Sequence, residues 1–127
     1  MIAVSGILMK KRRFLLCKRP QNVVYGGSWE FPTTEIVSDE TAEDALDRVF
    51  FENLTANLRG YAYLGGENMV WFPKARVLSY AVCTEQRYYN LNGYMYCKWV
   101  TASELERYRL SPFCVTAIKG IKFLNKS

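Results

Sequence analysis

Residues 29–54 read WEFPTTEIVSDETAEDALDRVFFENL, and this stretch changes its periodicity part-way along. It begins with alternation, because Trp29 and Phe31 would point to one face of a strand and Glu30 to the other. Pro32 then ends the strand, since proline has no N–H to donate to a neighbouring strand. The stretch therefore predicts a strand, a turn-prone segment and a helix, in that order.

The second half of this stretch predicts an amphipathic helix over residues 41–54. Thr41 can cap the first turn, and Asp44 can reach back to the cap as in a capping box. The apolar stripe, with Ala45, Val49 and Asn53 at its borders, consists of Ala42, Leu46, Phe50 and Leu54. The charged residues are Glu40, Glu43, Asp44, Arg48 and Glu52. Such a charged face can hold a divalent cation, and a merely solvated helix face has the same composition.

The same stretch resembles the Nudix box, G-x5-E-x7-R-E-U-x-E-E-x-G-U, where U is a bulky aliphatic residue. Glu40, Arg48 and Glu52 lie where the pattern has its first glutamate, its arginine and one of its later glutamates. The words WEFP and ETAEDAL are also characteristic of the family. The resemblance implies a Nudix fold of the α/β (α+β) class, with a mixed β-sheet between helices and a single domain over residues 1–127.

The box departs from the family pattern at several positions. Val49 replaces the glutamate after the arginine, Asn53 replaces one glutamate of the later pair, and Thr55 replaces the last glycine. WEFP is followed by Thr33 and Thr34, where the family has two glycines. If that loop uses positive φ values, a β-branched residue is strained there, so we expect the loop to have changed shape.

In the Nudix family, box glutamates hold magnesium or manganese while water splits a diphosphate bond. The resemblance implies Glu52 and Glu40 as metal ligands, and Glu52 with Arg48 as catalytic residues, the arginine orienting the carboxylate. Two carboxylates are replaced by valine and neutral asparagine, and hard cations need several oxygen ligands. We therefore expect Mg²⁺ or Mn²⁺ to bind only weakly, and hydrolysis to be slow.

The resemblance also implies substrate contacts at Arg19, Glu30 and Phe31, and a guanidinium group suits phosphate oxygens. Before the last helix the family has a residue that reads the purine edge, and Cys114 at that position is a poor hydrogen-bond reader. Two functions are considered, of which the first is the leading interpretation and the second its alternative. One is a MutT-like nucleoside di- or triphosphate pyrophosphohydrolase of reduced activity. The other is a non-catalytic module that binds a nucleotide or phosphate ligand.

Composition restricts the chemistry further. The 127 residues are 50% hydrophobic, which is enough for a core. The net charge of +5 favours phosphate-bearing ligands, and the lack of histidine excludes a Ser–His or Cys–His nucleophile. The four cysteines are widely spaced without a C-x-x-C pair, which argues against zinc and favours buried reduced thiols.

The expected partner is a nucleotide or another diphosphate-containing small molecule, and a homodimer is compatible with the sequence. Nucleic-acid binding by the basic residues 10–13 with Lys18 and Arg19 is a weaker alternative. No segment has the pattern of a signal peptide or the length of a membrane span, so we expect a cytoplasmic protein without a membrane partner.

The remaining elements are predicted from alternation, turn residues and caps. A hairpin is predicted from strands 2–9 and 14–18 around a turn at 10–13, and further strands at 58–64, 69–72, 76–83 and 94–100, with a turn at 65–67. A short helix follows Val100, capped by Thr101 or Ser103. The last helix spans 113–123 after Pro112, with Val115, Ile118 and Leu124 on its buried side.

Overall fold

The computed structural model describes residues 1–121, which form seven strands and two α-helices. The strands are β1 (Ile2–Lys10), β2 (Arg13–Lys18), β3 (Trp29–Glu30), β4 (Thr33–Glu35), β5 (Gly60–Asn68), β6 (Arg76–Cys83) and β7 (Tyr96–Val100). The helices are α1 (Ala42–Leu54) and α2 (Pro112–Gly120), and a 3-10 helix, Ser103–Arg107, follows β7. Neither α-helix of the described part is long and apolar enough to cross a bilayer.

The sheet is mixed, with the order β3-β2-β1-β6-β5, while β4 also pairs with β1 and β7 with β2. β1 runs parallel to β6 and antiparallel to β2 and β4. Its residues from Ala3 to Leu8 are all buried, because core clusters cover both faces of the sheet. One cluster contains residues of α2 and the other contains residues of α1. The predicted mixed sheet between helices is confirmed.

The helix predicted over residues 41–54 is confirmed, with its cap. The Thr41 hydroxyl accepts the N–H of Asp44, and the Asp44 carboxylate accepts the N–H of Thr41, both at 3.0 Å. The buried side is wider than the predicted stripe, because Ala45 and Val49 are as enclosed as Leu46. Phe50 packs so closely on β1 that a Cβ at Gly6 would overlap its ring.

Several predicted boundaries are wrong. β5 runs through residues 65–67, where a turn was predicted, because a register shift between Tyr63 and Gly65 lets the strand continue its pairing with β6. Residues 69–72 form no strand, and β7 begins at Tyr96 rather than at residue 94. The turn at 10–13 is confirmed: Lys11 and Arg12 have φ values of 49° and 65°, as a tight hairpin requires.

α2 begins at Pro112, as predicted, and its described part ends at Gly120. Its buried side is centred on Cys114 and Ala117, whereas the predicted Val115 and Ile118 are half-buried. The predicted Leu124 lies outside the described residues. The short helix after β7 is a 3-10 helix whose entry is fixed by reciprocal hydrogen bonds between Thr101 and Glu104.

Thr33 and Thr34 avoid the strain that positive φ values would impose on β-branched residues. Both residues lie in β4, where they pair with Ser5 and Val4 of β1, and extended backbone suits β-branched side chains. The Thr33 hydroxyl also lies 2.6 Å from that of Ser5. The two threonines therefore lie in a short strand at the positions where the family pattern has two glycines.

Backbone strain is found instead at Thr55, where the pattern has its last glycine. Thr55 ends α1 in the left-handed region, with φ 54° and ψ 38°. A β-branched residue is unfavourable there, because its Cβ crowds the following carbonyl. The hydroxyl of Thr55 offsets part of this strain by accepting a 3.2 Å hydrogen bond from Asn92.

We expect Thr55→Gly to raise the free energy of unfolding by about 1 kcal/mol. Glycine removes a left-handed penalty of about 1–2 kcal/mol, and the greater freedom of the unfolded chain returns part of that gain. Urea unfolding measures the change. Thr55→Ala is the matched control, because it also loses the hydroxyl but keeps a Cβ. An alanine variant as stable as the glycine variant would contradict the explanation.

Candidate functional site

Arg48 joins α1 to the segment before it. Its Nε donates to Glu40 Oε2 at 2.7 Å, and its Nη2 donates to Glu40 Oε1 at 2.9 Å. The same guanidinium group donates to the Thr34 hydroxyl at 3.3 Å and to the Glu35 carbonyl at 2.9 Å. One side chain therefore holds the helix, the loop at Glu40 and strand β4 together.

Glu40, one of the two predicted metal ligands, is occupied by this arrangement. Besides its two bonds from Arg48, it accepts the N–H of Val37 at 3.0 Å. The hydrogen bonds from Arg48, followed by that from Val37, lower the pKa of Glu40 to about 2. A carboxylate with both oxygens bound to protein donors contributes to the loop conformation, and a cation would have to compete with Arg48 for it.

The other positions of the Nudix box differ in their exposure to solvent. Glu52, the second predicted ligand, is exposed, and its charge helps to raise the pKa of Arg48 after the larger effect of Glu40. Val49 is 3% exposed and belongs to the core beneath α1. Asn53 is half-buried and lies so close to Gly93 that a Cβ there would overlap its amide oxygen.

These donors do not fit a divalent cation. Mg²⁺ and Ca²⁺ take six or more oxygen ligands, and carboxylates must supply part of the charge. Within residues 1–121 no group of three or more His, Cys, Asp or Glu side chains could hold a metal ion. On α1 the side chain at residue 49 has no donor atom and the one at residue 53 is neutral. Of the two predicted metal ligands, Glu52 is available, but Glu40 is already ion-paired with Arg48.

A second cluster surrounds Glu30, which is fully buried. Arg19 Nη1 donates to both of its carboxylate oxygens at 3.0 Å, the Ser111 hydroxyl donates at 3.1 Å and the Tyr94 hydroxyl at 3.4 Å. Burial raises the pKa of Glu30, and the positive charge of Arg19 opposes that rise. Arg19 also donates from Nε to the Val24 carbonyl at 2.8 Å, which ties the loop before β3 to the cluster.

The predicted substrate contacts differ in accessibility. Arg19 lines a cleft, whereas Glu30 and Phe31 are fully buried. Phe31 packs edge-on against Phe14, with ring centroids 6.3 Å apart. Neither buried side chain reaches the surface of the cleft in this structure.

The cleft beside Arg19 has a volume of about 170 Å³. Its lining comes from the N-terminal residue and β1, the residue after β2, strand β4 and the start of α2: Met1, Ala3, Arg19, Thr33, Thr34, Glu35 and Phe113. Thr34 connects the two clusters, because its hydroxyl accepts from Arg48 on the other side. Sequence reasoning missed Phe113 and singled out the next residue, Cys114, which is fully buried. The Pro-Phe pair at the start of α2 is the sequence signal that could have identified Phe113.

Solved structures with similar backbones identify this architecture. The NUDIX domain of Shewanella oneidensis NrtR complexed with ADP ribose matches with a TM-score of 0.73 and 18% identity, over 94% of this chain and 84% of that chain. The MutT protein from Methanosarcina mazei Go1 matches with a TM-score of 0.74 and 19% identity, over 100% and 96% of the two chains. This chain has the Nudix fold.

A third Nudix-fold match, the MutT NUDIX hydrolase from Burkholderia pseudomallei, has a TM-score of 0.71 and 17% identity over 80% of this chain and 83% of that chain. No family model and no curated protein sequence matches the chain. The Nudix fold expected from the resemblance in residues 29–54 is therefore confirmed by the backbone comparison.

The Glu40–Arg48 pair predicts a pH dependence of stability. The pKa of Glu40 is lowered from 4.5 to about 2, so its contribution is complete above pH 4.5 and is lost as the pH falls towards 2. We expect Glu40→Gln to be less stable than the unmodified protein above this window and the difference to shrink within it. Chemical unfolding at a series of pH values measures the difference. Glu43→Gln, which removes a nearby exposed acid, should not reproduce it.

The position of Val49 predicts what an acid at that site would do. Glutamate at a core position is destabilised in its charged form, and we expect Val49→Glu to lower the free energy of unfolding by about 3 kcal/mol at neutral pH. Val49→Gln is the matched control, since it loses the same apolar contacts without ionising. The glutamate variant should approach the glutamine variant as the pH falls. Equal stability of the two variants at all pH values would mean that residue 49 reaches solvent.

Proposed function

We propose that this chain is a Nudix-family module that binds a nucleotide or another diphosphate-containing small molecule and lacks efficient metal-dependent hydrolysis. The observation that carries the proposal is the set of carboxylates at the box. Glu40 is held by Arg48 and residue 49 is a buried valine, which leaves Glu52 exposed on α1. Hydrolysis by metal-bound water needs a cation held firmly against the phosphates.

The cleft beside Arg19 supports the binding half of the proposal. It combines a guanidinium group, the hydroxyl-bearing residues Thr33 and Thr34, and the aromatic ring of Phe113. Arginine and hydroxyl groups suit phosphate oxygens, and an aromatic face suits a base. A solved protein of the same fold, the NUDIX domain of Shewanella oneidensis NrtR, is in complex with ADP ribose. The net charge of +5 favours such an anion.

Arg19 has N–H groups that remain available to bind a phosphate. Its bonds to Glu30 and Val24 use Nη1 and Nε, and the hydrogen bonds recorded within residues 1–121 leave Nη2 unused. The buried carboxylate of Glu30 thus fixes the orientation of a cation whose outer N–H groups can meet a ligand. Glu35 lines the same cleft and is exposed, so its negative charge weakens the attraction for phosphate.

A second candidate function is slow hydrolysis that depends on Glu52. The exposure of this carboxylate near Arg48 favours it, because a substrate's own phosphates can complete the coordination of a cation. The two candidates differ in one measurable respect, which is whether bound ligand is consumed.

Binding is tested by calorimetry with ADP-ribose and ADP. We expect Glu35→Gln to tighten binding about fivefold, because removing one nearby negative charge is worth about 1 kcal/mol at the edge of a protein. Glu106→Gln, at an exposed acid outside the cleft, is the matched control and should leave the affinity unchanged. Phe113→Leu should weaken binding, whereas Phe51→Leu, which removes an exposed ring on α1, should not. Absence of binding to both ligands at millimolar concentration would contradict the proposal.

Hydrolysis is tested with the same ligands and a panel of nucleoside triphosphates, first with magnesium and then with manganese. We expect no product above the level given by buffer, and Glu52→Gln should bind ADP-ribose as the unmodified protein does. Turnover in the unmodified protein that disappears in Glu52→Gln would favour slow hydrolysis by Glu52 and overturn the proposal of a non-catalytic module.

A further inference from the structure

Two of the four cysteines face each other across neighbouring strands. Cys17 of β2 and Cys97 of β7 are directly opposed in the antiparallel pairing, although 80 positions separate them in the sequence. Their sulfur atoms lie 2.7 Å apart, and both are free thiols. A disulfide needs a sulfur–sulfur distance of about 2.05 Å and cross-strand Cβ atoms about 4 Å apart. The strand pairing therefore already brings the two sulfur atoms close to the distance of a disulfide bond.

The other two cysteines have no such partner. Cys83 is exposed at the end of β6, and Cys114 is buried at the start of α2. Within residues 1–121 the recorded contact between two thiols is that of Cys17 with Cys97. Any disulfide within one folded chain is thus directed to this pair by the sheet register.

We propose that Cys17 and Cys97 form a dithiol site that hydroperoxides oxidise to a reversible disulfide between β2 and β7. The two thiols have different parts in the reaction because they differ in exposure. Cys97 is half-buried and can meet a small oxidant, whereas Cys17 is fully buried. Because an oxidant in solution reaches the half-buried thiol before the buried one, Cys97 is the first to react.

The reaction proceeds in two balanced steps. The Cys97 thiolate attacks the outer oxygen of the hydroperoxide, the O–O bond breaks, and the alcohol leaves with the proton that Cys97 gave up. The resulting sulfenic acid is attacked at sulfur by Cys17, the S–O bond breaks, and the oxygen leaves as water with the thiol proton of Cys17. Two thiols are oxidised, and one hydroperoxide is reduced to an alcohol and water. A thiol reductant reverses the change by attacking the more accessible Cys97 sulfur.

The disulfide would have a structural effect because of where it lies. Among the described strands, β7 pairs with β2, and the new bond would make that attachment covalent across a long loop. A covalent link of this kind restricts the unfolded chain more than the folded one and raises stability. Cys17 is also opposed to Glu30 across β2 and β3, so the link lies next to the cluster that holds Arg19.

The experiment treats the reduced full-length chain with one equivalent of hydrogen peroxide under nitrogen. We expect an intact mass lower by about 2 Da, the mass of two hydrogen atoms, and a fall in titratable thiols of the unfolded chain from four to two. Peptide mapping should recover one cross-linked peptide pair containing residues 17 and 97. The urea midpoint should rise on oxidation and return to its first value after dithiothreitol.

Variants separate this site from general thiol oxidation. Cys97→Ser should abolish the cross-link, and Cys17→Ser should leave a sulfenic acid that dimedone traps at Cys97. Cys83→Ser is the matched control and should still form the disulfide. The mapping of the unmodified chain decides the question even if a variant fails to fold. A disulfide through Cys83, a link between two chains, or only over-oxidised sulfur would overturn the proposal.

Discussion

The buried carboxylate of Glu30 is the constraint on which the arrangement of this sheet depends. Removing a partner from a buried charge is strongly destabilising, whereas a fully bonded one can be accommodated. Arg19, Ser111 and Tyr94 supply those bonds from three separate parts of the chain. Ser111 has a double role, because its hydroxyl also caps α2 by accepting the N–H of Cys114. The position of α2 over the sheet is thereby linked to the charge at the end of β3.

Arg48 exerts a similar control on the other side of the cleft. It binds Glu40, Thr34 and Glu35 at once, and Thr34 is shared with the lining of the cleft that contains Arg19. Two guanidinium groups therefore lie beside one small cleft, and each is oriented by a carboxylate, Arg19 by Glu30 and Arg48 by Glu40.

Sequence patterns within one segment correctly predicted the secondary-structure elements that are determined by interactions within that segment. The capped helix α1, the β1–β2 hairpin and the extent of β6 follow from caps, turns and alternation, and all three are present in the structure. The Nudix fold followed from the resemblance of residues 29–54. The bulge in β5 could not be predicted, because Gly65 looks like a turn residue until its pairing with β6 is known.

The site was predicted less completely, for the same physical reason. Arg19, Glu30 and Phe31 were predicted as substrate contacts, and periodicity did not show that Glu30 and Phe31 are buried, because their surroundings include α2 and Phe14, which are distant in sequence. Whether Val49 faces the core or solvent depends on how α1 is rotated against β1. Its position at the border of an apolar stripe does not show which of the two is the case. Contacts between distant segments carry this information, and periodicity within one segment does not.

The burial of Val49 also limits what this helix can accommodate. The hydrogen bonds from Arg48 to Glu40 make no use of residues 49 and 53, so valine and asparagine at these positions leave α1 anchored. A glutamate at residue 49 would insert a charge into packed apolar surroundings. Its accommodation would therefore require compensating changes in several neighbouring core residues at once.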